Sequence, residues 1–190
     1  MNSIFTQIRQ ITLNNQTYTT GEFLEFARLQ TQKNLPEWER AIYKFILNFL
    51  DDTDHIIQKS SGTTGKPKTF KLSKAGMIQS AKDTTEYFNL KPGDKALLCL
   101  PVDYIAGKMM IVRALIAGLN LFYEPPSSNP DLSQYQKIHF SAMVPMQVEH
   151  TLSQPGFENI ETLIIGGSKV SNALAARLKQ SKTQSYETYG

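Results

Sequence analysis

A glycine-rich stretch at residues 57–68, IQKSSGTTGKPK, constrains this chain more than any other segment. Gly62 and Gly65 allow backbone angles that are closed to other residues, and they let the main chain approach an anion closely. Successive backbone N–H groups in such a turn form an anion-binding concavity, to which hydroxyl and lysine side chains add donors and positive charge. The side chains that would do so are Ser60, Ser61, Thr63, Thr64, Lys66 and Lys68. The stretch predicts a phosphate-binding loop, and the alternative is a surface loop with solvated lysines.

The spacing within this loop differs from that of the P-loop of nucleoside triphosphatases. The P-loop motif needs four residues between its first glycine and the Gly-Lys-Ser/Thr element. Only two residues separate Gly62 from Gly65, and a proline follows Lys66. The sequence therefore disfavours a P-loop enzyme, although the prediction of a phosphate site remains.

Apolar strands alternate with helical segments along the chain. This order predicts a doubly wound α/β fold, with a mainly parallel sheet and helices on both faces. Strands are predicted at 55–57, 69–72, 96–100, 120–123, 138–144, 162–165 and from about 184. Helices are predicted after a Thr20 cap, from Pro36, and at 74–87, 108–117, 146–152 and 172–179.

Two further segments lie where a predicted strand ends and a helix follows, which is where open α/β sheets bind ligands. The first is LPVDYIAG at residues 100–107, and the second is GGS at residues 166–168. A third segment, YETYG, ends the chain at residues 186–190. Taken singly, LPVDYIAG is equally typical of a ligand-binding segment and of a strand-to-helix turn with a half-buried tyrosine. GGS alone is more typical of an ordinary tight turn between a strand and a helix.

Together these segments resemble the motifs of the adenylate-forming superfamily, which includes acyl-CoA synthetases, peptide-synthetase adenylation domains and luciferases. Its phosphate-loop signature is an aliphatic residue, two free positions, two small residues, Gly, two hydroxyl-type residues, Gly, a free position, Pro and Lys. Residues 57–68 fill every position, although Thr69 replaces the glycine that usually follows. LPVDYIAG is similar to the second motif, GGS to the element that lines the adenine, and YETYG to the start of the adenine-stacking motif.

The resemblance implies a role for each segment. The loop from Ser60 to Lys68 is expected to hold the phosphates of ATP, and Tyr104 and Gly107 are expected to border the acyl pocket. The residues expected at the adenine are Gly166, Gly167, Ser168, Glu187, Thr188, Tyr189 and Gly190. No catalytic residue and no metal ligand is expected within this stretch, because the family's Mg²⁺-binding glutamate and late lysine would follow it. Residues 1–190 are therefore expected to be the front part of the large N-terminal domain of a longer ligase, inactive by itself.

The reaction implied by the resemblance converts a carboxylic acid to an acyl-adenylate and then to a coenzyme A thioester. ATP, Mg²⁺ and coenzyme A are the implied cofactors, and a small carboxylic acid is the implied partner. The short stretch before the loop and residues 38–45, WERAIYKF, look like short bacterial o-succinylbenzoate–CoA ligases of menaquinone biosynthesis. Two alternatives remain: another acyl- or aryl-CoA ligase or adenylation domain, and a non-catalytic nucleotide-binding module.

Composition argues against several other classes of protein. The net charge of +3 is small and not clustered, so nucleic-acid binding is not indicated. No apolar run is long enough to span a membrane, and the first residues lack the regions of a signal peptide, so a cytoplasmic location is expected. The single cysteine, Cys99, lies in an apolar run and is expected to be a core thiol. The three histidines show no metal-ligand spacing.

Overall fold

The computed structural model describes residues 8–59 and 69–188. The expected phosphate-loop residues 60–68, together with Tyr189 and Gly190, lie outside the described residues. The strands are β1 (Gln10–Leu13), β2 (Gln16–Thr19), β3 (His55–Lys59), β4 (Thr69–Ser73), β5 (Lys95–Leu98), β6 (Asn120–Tyr123), β7 (Ile138–Met143), β8 (Ile160–Ile165) and β9 (Gln184–Glu187). The α-helices are α1 (Thr20–Gln32), α2 (Glu37–Phe49), α3 (Lys74–Tyr87), α4 (Ile105–Ala117), α5 (Pro145–Thr151) and α6 (Asn172–Leu178).

A seven-stranded sheet forms the centre of the fold, in the order β2-β1-β6-β5-β7-β8-β9. The β1–β2 pair is antiparallel, and every other pair in this sheet is parallel. The mainly parallel sheet predicted from the alternation of strands and helices is therefore confirmed. Parallel strands place their carboxyl ends on one edge, which is the edge where ligands are expected.

Helices cover both faces of this sheet, because alternate residues of a buried strand point to opposite sides. On β5, Ala96 and Leu98 join a core formed with α1 to α4, whereas Leu97 and Cys99, the residue after the strand, join a second core formed with α5 and α6. Cys99 is fully buried, and burial raises the pKa of its thiol to about 12. The prediction of a core thiol is confirmed.

Local signals set most helix ends, with two differences from the predictions. The hydroxyl of Ser73 caps α3, and Gly118 ends α4 in the left-handed conformation with φ 65°. The cap of α1 is Thr19, not Thr20, because Glu22 closes a capping box onto it. Helix α4 begins at Ile105, three residues before the predicted start. None of the helices within 8–59 and 69–188 is long and apolar enough to cross a membrane.

Strands β3 and β4 form a separate two-stranded antiparallel sheet on either side of residues 60–68. Their register pairs Lys59 with Thr69, so the two backbone positions that bracket the expected phosphate loop are neighbours. Ile56 anchors this hairpin in the main core and is 2% exposed. Lys74, the residue after β4, is buried, and its ammonium donates at 2.7 Å to the carboxylate of Asp51, which precedes β3. Side chains thus anchor the hairpin in the core and join the segments that flank it.

Candidate functional site

A cavity of about 350 Å³ lies where β5, β7 and β8 end, beside the start of α4. Ile105 and Ala106 of the second motif line it, as do Gly166 and Gly167 of the glycine turn. Thr188, the residue after β9, lines it as well. The fold therefore brings together segments that are separated by about eighty residues in the sequence, at the sheet edge where α/β proteins bind ligands.

The glycine turn is pressed against the end of β9. The N–H of Thr188 donates to the Ile165 carbonyl at 2.8 Å, and a Cβ on Gly166 would lie 2.7 Å from the Thr188 hydroxyl oxygen. Gly167 has φ 85°, and a Cβ there would lie 3.2 Å from the Val144 side chain. Gly167 is favoured by its left-handed backbone conformation, and a side chain at Gly166 would force the Thr188 hydroxyl to move. The turn presents bare backbone beside the cavity, as a flat ring system would need.

The other residues predicted at the adenine lie around the same turn. Ser168 is exposed, and Glu187 accepts a hydrogen bond from the Val170 N–H at 3.0 Å. That bond ties the end of β9 to the segment after the turn, so Glu187 shapes the turn. Tyr189 and Gly190 lie outside the described residues. Adenine contact by any of these residues stays a prediction.

Some residues of the second motif line the cavity, and others are exposed or buried in the core. Tyr104 is the residue before α4 and is 54% exposed, whereas Gly107 is buried. Ile105 and Ala106, which lie between them, line the cavity. Sequence reasoning thus selected the segment, and the roles of Tyr104 and Gly107 at the acyl pocket stay predictions.

Replacing Gly107 with alanine is expected to lower the free energy of unfolding by about 2 kcal/mol, as overpacking does. A Cβ at this position would lie 2.3 Å from the Pro101 carbonyl oxygen, so the loop before α4 would have to move. Gly76, also the third residue of its helix, is the matched control, since only the Ser73 Cβ lies within 4 Å, at 3.8 Å. Gly76→Ala should be neutral or stabilising. Equal urea midpoints for the two variants would contradict the close approach at Gly107.

Arg113 is a charged cavity residue that sequence reasoning missed. It lies on α4, its guanidinium carbon is 5.9 Å from the centroid of the Phe140 ring, and its Nε has no hydrogen-bond partner among the described residues. The guanidinium makes a weak side-chain contact, from its Nη1 to the Met110 sulfur at 4.0 Å. None of the ion pairs within 8–59 and 69–188 includes Arg113.

Burial lowers the pKa of Arg113 to about 10, which still leaves the guanidinium charged at neutral pH. A desolvated cation without a counter-ion is costly, and an anionic ligand in the cavity would offset that cost. The signal in the sequence was a single arginine within the otherwise apolar second half of α4. That pattern alone is equally typical of a solvated charge.

Comparisons with known proteins agree with this geometry. The family model described as AMP-binding enzyme matches residues 14–190. One similar solved structure is the acyl-CoA synthetase (AMP-forming)/AMP-acid ligase II-like protein from Dyadobacter fermentans, with 32% identity and a TM-score of 0.74, covering 85% of this chain and 48% of that one. That likeness confirms the predicted fold class.

Two curated relatives are coenzyme A ligases. Indoleacetate–CoA ligase from Aromatoleum aromaticum is 27% identical over 113 residues, which cover 57% of this chain and 22% of that protein. A 2-succinylbenzoate–CoA ligase from Listeria innocua is 25% identical over 140 residues, which cover 70% of this chain and 30% of that protein. The chain therefore spans less than a third of the length of either relative.

Proposed function

Because the chain belongs to the AMP-binding enzyme family, we propose that the protein containing it activates a carboxylic acid with ATP and passes the acyl group to coenzyme A. The acid's carboxylate oxygen attacks the α-phosphate of ATP, and the bond from that phosphorus to the bridging oxygen breaks, so that pyrophosphate leaves. The sulfur of coenzyme A then attacks the acyl carbon, and AMP leaves. We assign residues 1–190 to the front part of the N-terminal domain and place the reaction in the cytoplasm.

We assign the phosphates of ATP to the loop from Ser60 to Lys68. Support comes from the Lys59–Thr69 pair, which holds the two ends of this stretch together. We assign the adenine to the glycine turn at Gly166, whose backbone is bare beside the cavity. Among the described residues, no group of three His, Cys, Asp or Glu side chains could hold a metal ion. Mg²⁺ is proposed to accompany ATP on its phosphates.

The acid is proposed to carry a second anionic group, as o-succinylbenzoate does. One observation carries this assignment: Arg113 lines the cavity, its Nε is buried without a hydrogen-bond partner among the described residues, and no described carboxylate forms an ion pair with it. The cavity volume of about 350 Å³ suits a small aromatic acid. The Listeria relative is named for 2-succinylbenzoate. The apolar side chains of Ile105 and Met109 beside Arg113 favour a second candidate, an uncharged aryl acid such as indoleacetate.

ATP–pyrophosphate exchange by the full-length protein separates these candidates. The matched acids are o-succinylbenzoate and 4-oxo-4-phenylbutanoate, which differ only in the ring carboxylate, with indoleacetate as the third. We expect o-succinylbenzoate to have a kcat/KM at least about tenfold above that of the other two, because a buried charge-assisted contact is worth this much or more. A preference for indoleacetate would favour an aryl-acid ligase. ATP binding without exchange for any acid would favour a non-catalytic nucleotide-binding module.

A further inference from the structure

The hairpin that brackets the expected phosphate loop needs a fixed position relative to the cavity. In the described part of the chain, β3 and β4 pair only with each other, so no backbone ladder joins them to the seven-stranded sheet. Apolar packing at Ile56 anchors the hairpin, but apolar contacts are not directional and do not fix its orientation. Hydrogen bonds from side chains would fix that orientation.

Gln58 makes such bonds from the end of β3, two residues before Ser60. Its side chain is buried, with 3% exposed, although glutamine is a polar residue. Its Nε2 donates to the Asp103 carbonyl at 2.9 Å, and its Oε1 accepts from the ammonium of Lys108. Asp103 lies in the second motif, and Lys108 lies in α4, two residues after the cavity residue Ala106. One glutamine thus contacts both the turn before α4 and the first half of that helix.

Lys108 closes the network from the helix. Its Nζ also lies 3.4 Å from the Asp103 carbonyl, and it sits 6.0 Å from the centroid of the Phe45 ring. Burial lowers the pKa of this amine, since desolvation disfavours its charged form. A half-buried ammonium needs acceptors, and here they come from the strand before the phosphate loop and from the second motif. Hydrogen bonds among Gln58, Asp103 and Lys108 therefore join the end of β3 to the second motif.

We propose that Gln58 and Lys108 are positioning residues that hold the end of β3, which leads into the loop assigned to the phosphates, against the second motif, so that ATP and the acid are aligned for in-line attack. This inference rests on the proposed function. Alignment matters because a misplacement of about 1 Å costs roughly 100-fold in rate. A plain stabilising role for the same bonds would affect unfolding but not the affinity for ATP.

The test uses the full-length protein with Gln58→Leu, Lys108→Met and the double variant. Calorimetry with α,β-methylene-ATP measures nucleotide affinity without turnover, and the exchange assay measures KM for ATP. Each single variant is expected to lower the affinity for the analogue about tenfold and to raise KM for ATP about tenfold. The double variant should change each value by little more, because the effects of residues in one network are non-additive. Lys108→Arg should recover part of the loss, since it keeps a donor to Gln58.

The matched control is Thr183→Val. The Thr183 side chain is also buried, with 3% exposed, and donates to the Phe157 carbonyl at 3.1 Å, but it precedes β9 at the opposite end from the cavity. Thr183→Val should lower the melting temperature of the protein and leave its affinity for the ATP analogue unchanged. If Gln58→Leu behaves like this control, the network is only structural and the inference is wrong. If the wild-type protein binds no analogue, the proposed function fails as well, and the inference falls with it.

Discussion

Replacing Arg113 with methionine is expected to lower kcat/KM for o-succinylbenzoate by roughly 100- to 1000-fold, the cost of a lost charge-assisted contact plus an unpaired buried carboxylate. The reason is that, among the described residues that line the cavity, Arg113 alone is cationic, and no described carboxylate forms an ion pair with it. KM for ATP should change little, because β3 and β4, the strands that bracket the loop assigned to the phosphates, contribute no residue to the described lining of this cavity. Initial rates of pyrophosphate exchange at varied acid and varied ATP check both expectations.

Three comparisons separate recognition of the acid from a structural effect. The loss should disappear with 4-oxo-4-phenylbutanoate, which lacks the ring carboxylate. Arg113→Lys should lose less than Arg113→Met, because it keeps the charge but not the planar fork. Arg40→Gln is the matched control: the Nε of Arg40 is also unbonded, but its Nη2 donates to the Leu35 carbonyl at 2.8 Å in the turn before α2. An equal loss with both acids would mean that Arg113 only supports the fold.

Sequence patterns predicted the elements whose signals are local. Serine caps, the Gly118 stop and apolar alternation gave α3, α4, α6 and the buried strands within a few residues. The β1–β2 hairpin was missed because its strands have four residues each and β2 has no buried residue. Its turn did carry a signal, since Asn14 and Asn15 have φ of 45° and 66°, a conformation that asparagine tolerates.

For the candidate site too, sequence patterns predicted only some of the residues. The family resemblance placed the glycine turn and Thr188 together at the adenine. The two segments do meet, because parallel strands end at one edge of the sheet. Arg113 and Gln58 were not selected, because a charged or polar residue within an apolar run gives no indication of what faces it. Their surroundings come from helix and hairpin packing, which joins residues about fifty positions apart. Such contacts depend on tertiary structure and leave no local pattern.

Replacing Asp51 with alanine is expected to lower the free energy of unfolding by about 2–3 kcal/mol. The ammonium of Lys74 is 1% exposed and donates to the Asp51 carboxylate at 2.7 Å and to the Asp51 carbonyl at 3.1 Å. Removing the carboxylate leaves the buried ammonium of Lys74 with no counter-ion and only the backbone carbonyl as an acceptor among the described residues. The figure lies below the roughly 3–5 kcal/mol of a fully buried pair, because the Asp51 side chain is 39% exposed and water screens it. Urea unfolding at neutral pH measures the difference.

The same pair predicts a pH dependence with a definite sign. Burial pulls the pKa of Asp51 upward, but hydrogen bonds from Lys74 and Thr53 outweigh it and lower the pKa to about 2. Because the pKa is lower in the folded state than the ordinary value of about 3.9, the stabilisation is complete above that value and is lost as the pH falls toward about 2. The gap in stability between wild type and Asp51→Ala should therefore narrow over this range.

Two further variants test whether the buried charge causes the loss. Adding Lys74→Met to Asp51→Ala should recover stability, because the double variant buries no ammonium, and apolar replacement of a buried pair is often neutral. Asp54→Ala is the exposed control: Asp54 pairs with His55 at 2.6 Å but its side chain is 96% exposed, so little change is expected. If Asp51→Ala and Asp54→Ala unfold at the same urea concentration, the Asp51 carboxylate does not stabilise the buried ammonium of Lys74. The contacts of Ile56 and Gln58 would then be the ones that hold the β3–β4 hairpin in place.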